Sequence, residues 1–218
     1  MSILPEENVK SSVNELYRQH LRIEMIEELY RQSVMMSYEL ANELSERFHL
    51  LPDREGNNVD PVIYPPCHFQ KFNMEGTPVY QLSYQGMLPL YMKENSSKKQ
   101  VRDYYIRATM EETIHHETPV IDSAFIYICH FFQNSIIRDL DNRNRSVLIN
   151  ALRYAGFIKD DSWKEIEIME SGFLDLACRN HVQVFVTPSQ NALKLIGDVR
   201  EKYAKGHDFS GAFEPEKH

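Results

Sequence analysis

The segment from Ala124 to Met169 constrains the fold most, because its hydrophobic period changes twice within one short stretch. Ala124–Phe132, AFIYICHFF, is a run of β-branched and aromatic residues that reads as a strongly apolar strand. Asn142–Ala155 follows, with Leu148, Ala151, Leu152 and Ala155 as the buried stripe of a helix. Gly156 stands where a helix C-terminal cap belongs. Lys164–Met169 then alternates charged and apolar residues, with Ile166 and Ile168 on one face. From Gly86 onward the pattern therefore predicts a mixed α/β (α+β) domain.

The rest of the chain fits around that unit. Met87–Met92 is predicted as a strand, Asn95–Ser97 as a loop able to cap a helix, and Lys98–Thr113 as a helix burying Val101, Tyr105 and Ala108. His181–Thr187 alternates through Val182, Val184 and Val186 until Pro188 stops it. Gln190–Ala204 reads as a short helix, and Lys205–His218 as a loose polar tail. Upstream, residues 8–48 hold no Pro or Gly and favour helix. The pentapeptide ELYRQ occurs at Glu15–Gln19 and again at Glu28–Gln32. A shift of that length is not a whole number of helical turns, so the copies face opposite sides of one helix, or the helix breaks near Ser33. This region is read as a cap on the core or as a dimerisation or partner-docking arm. Residues 51–66, with four prolines, form a turn and linker, and Pro78–Tyr84 a short strand. Cys67–Phe72, CHFQKF, has no functional reading. The domain plan is a helical region at 1–50, a linker and short strand at 51–84, the α/β domain at 85–190, and a C-terminal helix and tail at 191–218.

Composition narrows the class. With 42% hydrophobic and 11% aromatic residues, 218 residues suffice for a packed core. No apolar run approaches the roughly 20 residues of a membrane span, and the N-terminus lacks a signal-peptide core. A cytoplasmic protein without membrane contact is expected. Three cysteines without CxxC spacing suggest reduced thiols, and the pairs Cys67-His68 and Cys129-His130 lack the spacing of a zinc set. The net charge of -8 argues against a broad DNA-coating surface. It does not argue against a local groove, because residues 86–190 hold 12 basic and 14 acidic side chains.

Four of those acids surround the predicted helix. Asp139 and Asp141 are one residue apart, so at the end of a strand they share a face, and Asp141 is placed to cap the helix. Asp160 and Asp161 follow the helix after a short reversal. Clustered carboxylates repel unless a cation neutralises them, and hard oxygen ligands suit Mg²⁺ or Mn²⁺. Arg138, Arg143, Arg145, Arg153 and Lys159 lie around the site and suit phosphates. Taken singly, an Asp before a helix is a cap and a DD pair after one is a solvated turn.

The same residues resemble the RusA family of Holliday-junction resolvases. The resemblance rests on Arg138-Asp139-Leu140-Asp141-Asn142, Arg145, Asn150-Ala151-Leu152, Ala155-Gly156-Phe157 and Asp160-Asp161, and spans about residues 85–188. It implies a two-layer mixed-sheet sandwich that forms a homodimer and nicks branched DNA with Mg²⁺. It implies Asp139, Asp141 and Asp161 as metal-binding catalytic acids, Asp160 as a helping neighbour, and Arg145 where the family has a Lys. Arg145 keeps the charge but does not readily donate a proton. Lys98, Lys99, Arg102, Arg138 and Arg143 are the expected DNA contacts. The expected function is thus a resolvase of DNA recombination and repair. Two further readings are a catalytically weakened relative acting on protein partners through residues 1–50, and a metal-dependent phosphohydrolase on small nucleotides.

Overall fold

The computed structural model describes residues 18, 19, 21, 22, 25, 26, 29, 32, 33, 36, 67–89, 91, 95–135, 140, 141 and 143–210. The chain divides into two compact units, Met1–Asp53 and Arg54–His218. In the first, every described residue is helical and exposed. Leu21, Met25, Ile26, Leu29 and Met36 are the large apolar side chains among them. The linker at 51–66 and most of the two ELYRQ copies lie outside the described residues.

The second unit is built on a five-stranded mixed sheet in the order β1-β2-β5-β3-β4. The strands are β1 Cys67–Met74, β2 Thr77–Gln85, β3 Ala124–Phe132, β4 Ile166–Leu174 and β5 His181–Pro188. The helices are α1 Asn95–Thr113, α2 Ser146–Tyr154 and α3 Ala192–Ala204. The expected mixed α+β class is what the chain adopts. β3 pairs parallel with β4 and antiparallel with β5. The parallel pair requires a crossover, and α2 supplies it.

Both faces of the central strands are covered, which explains the unbroken apolar run of β3. On one face the ring of Tyr84 of β2 lies 5.5 Å from that of Tyr105 of α1, tilted by 46°, and its hydroxyl shares a 2.7 Å hydrogen bond with Thr109. Leu148 and Leu152 of α2 are fully buried. On the other face Phe125, Tyr127, Cys129 and Phe131 pack with Phe185 against Leu195 and Val199 of α3. Phe209 joins that core, so the stretch after α3 is anchored at least to Ser210, where a loose tail was expected.

Several boundaries differ from the sequence reading. CHFQKF opens β1, which forms a hairpin with β2 through Glu75 and Gly76. Both turn residues have positive φ, 48° and 83°, the geometry whose twist matches a two-residue hairpin, and glycine takes the more demanding position. Met87, Leu88, Pro89 and Tyr91 are irregular, not strand. Proline supplies no ladder donor there. α2 starts at Ser146, four residues later than predicted, and Gly156 with φ 82° follows its C-cap residue Ala155.

The α3-facing side of the sheet also holds a buried polar chain. The Gln70 Nε2 donates to Gln81 Oε1 at 2.7 Å, and Gln81 Nε2 to Gln183 Oε1 at 2.8 Å. Gln183 Nε2 in turn donates to His181 Nδ1 at 2.9 Å and to the Phe209 carbonyl at 3.0 Å. That leaves the His181 proton on Nε2, which points at Asp175 Oδ1 3.1 Å away. The second Asp175 oxygen accepts the Arg179 backbone N–H at 2.8 Å. Burial holds the His181 pKa below the usual imidazole range, against the opposing pull of Asp175. A histidine whose folded pKa is lowered stabilises the fold above its unfolded pKa of about 6.5, and that stability is lost as pH falls below it. Asp175→Ala removes the acceptor of the buried His181 Nε2–H and is expected to cost about 1–3 kcal/mol. Urea unfolding should show that loss, together with an acid-side decline in wild type between pH 7.5 and 5.5 that His181→Gln reduces.

Candidate functional site

The N-terminal part of α1 and the head of α2 enclose a cleft of about 360 Å³. Lys98, Lys99 and Arg102 supply its basic wall, and Asn144, Ser146 and Asn150 its neutral polar wall, with Tyr91 and Val147 completing it. The spacing explains the wall, since positions one helical turn apart lie on one side of α1. The opposite wall is held by local hydrogen bonds. Ser146 Oγ donates to Asn144 Oδ1 at 2.5 Å, and Asn150 Nδ2 to the Ser146 carbonyl at 2.7 Å. The Asn144 N–H donates to the Pro89 carbonyl at 2.8 Å, and Arg143 Nη1 to the Leu88 carbonyl at 3.0 Å. These two bonds tie the irregular 87–91 stretch to the head of α2.

Arg102 donates through Nε and Nη2 to Asp103 Oδ1, at 3.0 and 2.8 Å, so part of its charge is met within α1. Lys98 and Lys99 are exposed and form no ion pair among the described residues. The N-cap residue of α2, Arg145, makes no side-chain capping bond. The partial positive charge of that helix end therefore adds to the three cations.

Behind the head of α2 lies a second polar group. Arg145 Nη1 donates to Glu170 Oε2 of β4 at 2.9 Å. The other oxygen, Glu170 Oε1, faces His130 Nε2 of β3 across 3.8 Å, beyond hydrogen-bond reach. Both of these atoms are buried and have no hydrogen-bond partner among the described residues. The His130 ring is nearly parallel to Phe132, with centroids 6.2 Å apart. Burial pushes the Glu170 carboxyl up, but His130 and Arg145 beside it outweigh that effect, so its pKa lies below the usual carboxylate range.

The structure distributes the residues expected to act together. Lys98, Lys99 and Arg102 do line one cleft. Arg143 instead bonds the Leu88 carbonyl, and Arg145 is committed to Glu170. Arg138 and Asp139 lie outside the described residues. The strand-end argument is corrected for Asp141, because β3 stops at Phe132 and Asp141 occupies a turn. Nor does Asp141 cap the helix, which begins at Ser146. Asp160 and Asp161 are exposed, and Asp160 faces Arg153 at 3.7 Å. Lys159 pairs with Asp122 at 2.5 Å. Among the described residues no three His, Cys, Asp or Glu side chains gather as a metal site. His130 and Glu170 were missed as a pair. The alternation of charged and apolar residues through Lys164–Met169 pointed to a strand whose next residue is Glu170, but no local signal set its register against β3.

No protein-family model matches the chain. No curated protein matches it. Among solved structures, the periplasmic domain of MotB is 12% identical with a TM-score of 0.28, covering 74% of this chain and 91% of that one. The periplasmic domain of Helicobacter pylori MotB is 14% identical with the same TM-score of 0.28, covering 65% and 92%. A likeness at that level supports no conclusion about fold or function. The resemblance to RusA resolvases is corrected: neither the protein-family models nor the curated proteins support it. Junction resolution, recombination and repair fall with it, as does the weakened-relative reading. What remains of the resemblance is a local pattern of acids at turns around one helix.

The Arg145–Glu170 pair gives a test of the site's electrostatics. A carboxylate with a lowered pKa stabilises the fold above its unfolded pKa of about 4.3 and loses that contribution as pH falls through the folded value. Arg145→Met is therefore expected to lose stability at pH 7, by at most about 1 kcal/mol because the guanidinium is half exposed. The loss should shrink at a pH low enough to protonate Glu170 in the folded protein. An equal loss at both pH values in urea unfolding would assign the effect to packing instead.

Proposed function

We propose that the chain binds a phosphate-bearing polyanion, in the first instance a nucleic-acid strand, in the cleft between α1 and α2. The observation that carries this reading is the convergence of Lys98, Lys99 and Arg102 on one wall of a cleft whose other wall offers Asn144, Ser146 and Asn150. Cations supply the attraction and fix phosphates, while amides and a hydroxyl supply directional hydrogen bonds to oxygen. The head of α2 carries no side-chain cap, so the positive end of its dipole adds to the cations beside the cleft. The chain's net charge of -8 makes the cleft a local site, not one part of a coating surface.

The reading concerns binding and assigns no bond cleavage. Its size limit is set by three cations, so the affinity should be modest and strongly dependent on salt. Neutralising about three phosphates gives a slope of roughly -2 to -3 in a plot of log affinity against log salt. Fluorescence anisotropy with labelled single-stranded, duplex and branched DNA should show that slope. The variant K98E/K99E/R102E should bind more than about tenfold more weakly at low salt. Equal binding by wild type and variant would remove the cleft from the interaction. Equal competition by a nucleoside monophosphate would reassign the ligand to small nucleotides.

A further inference from the structure

Glu170 is shared unequally between two basic side chains. One oxygen is bonded to the half-exposed guanidinium of Arg145, and the other faces the buried, unpartnered Nε2 of His130 at 3.8 Å. Arg145 stands in the chain between two residues that line the cleft, Asn144 and Ser146, yet its guanidinium is turned away from them onto β4. We propose that His130 and Glu170 form a proton-operated latch that holds Arg145 off the cleft and releases it in acid. This rests on the cleft being the anion site argued above.

The chemistry is a competition for one carboxylate. With His130 neutral, Arg145 is the cation nearest Glu170, and the 3.8 Å gap to the imidazole leaves two buried polar atoms unsatisfied. Such atoms are costly to leave unmade, so closing the gap is favourable once something supplies the donor and the charge. Protonation of His130 at either nitrogen gives an imidazolium whose Nε2–H points at Glu170 Oε1. The carboxylate then has a fully buried cation on one side and a half-exposed one on the other. The buried ion pair is screened less by solvent, so it takes the larger share of Glu170. Arg145, relieved of part of its partner, becomes a fourth cation at the head of α2.

Among the described residues, Glu170 on β4 is the charged group that faces His130, and Arg145 acts on it through Glu170. The neighbouring positions on β4 and β5 are Gly172 and Val182, neither of which titrates. His181 of β5 belongs to the opposite face, where it is bonded to Asp175 and Gln183. Phe132 flanks the ring within β3. The comparison that reads the latch is binding at pH 5.5 against binding at pH 8.

The test uses the full chain and an oligonucleotide whose phosphodiesters keep their charge across the interval. Wild type should bind about twofold to fivefold more tightly at pH 5.5 than at pH 8, the range a half-exposed ion pair provides. His130→Phe keeps the aromatic contact with Phe132 and should abolish this difference, binding as wild type does at pH 8. Glu170→Gln frees Arg145 at every pH and should bind tightly at both. His130→Asn serves in the same role as His130→Phe if that variant does not fold. A second readout needs no ligand. The Arg145 Nε–H resonance should move with the titration of the His130 ring in wild type and stay fixed in His130→Phe. If that resonance follows His130 but nucleic acid never binds, the latch stands and the cleft reading fails. If it does not follow His130, or if Glu170→Gln keeps the wild-type pH dependence, the latch is overturned.

Discussion

One buried carboxylate ties the sheet together where three strands end. Asp175 accepts from the Arg179 backbone and faces His181 Nε2, while its own N–H donates to the Phe132 carbonyl at 2.8 Å. The ends of β3 and β4 and the start of β5 are thus fixed to a single residue. A charge so deeply buried is tolerable only because both oxygens are used. The consequence reaches the opposite face. With Phe132 held to Asp175, β3 and β4 run in a register that sets Ile128 against Glu170 and His130 against Gly172. A one-residue slip would turn Glu170 to the α3 side and leave Arg145 without it.

The two faces of the sheet handle polarity differently for the same reason. On the α3 side, Gln81, Ser83, Gln183 and His181 satisfy one another and the Phe209 carbonyl in a closed chain. A chain of this kind specifies register without leaving a group unpaired. On the helix side near the head of α2, His130 and Glu170 stop short of pairing. Buried groups are normally matched, and this mismatch is the observation on which the proposed latch rests. That mismatch lies next to a cleft of the opposite charge to the chain as a whole.

Much of the architecture was legible in the sequence, and the failures are local. β3, α3 and β5 could be read because each carries a strong period over enough residues, bounded by Pro or polar turns. β1 was hidden because CHFQKFNM mixes Lys, Asn and Gln with its apolar residues, and its meaning comes from the Glu75-Gly76 turn pairing it with β2. The head of α2 was placed too early because Asn142–Arg145 has the composition of a helix start, while the bonds from Arg143 and Asn144 to Leu88 and Pro89 hold those two residues outside the helix. The basic wall was legible as helical spacing on α1, but its opposite wall required knowing that α2 packs beside it. His130 and Glu170 are far apart in sequence and meet only through parallel pairing, which no local pattern encodes.

The acidic residues that first suggested a metal centre have a different electrostatic consequence once their positions are known. Asp141, Asp160 and Asp161 are exposed, and an exposed carboxylate acts over little more than a Debye length, about 8 Å at physiological salt. None of the three lines the cleft itself. They do make the surrounding surface unfavourable to a polyanion. A strand held at Lys98, Lys99 and Arg102 would meet repulsion as it left the cleft, which limits the number of phosphates engaged. An acidic chain with a basic cleft thus trades affinity for location. Under that constraint a single additional cation, Arg145, changes binding by a larger fraction than it would on a broadly basic surface.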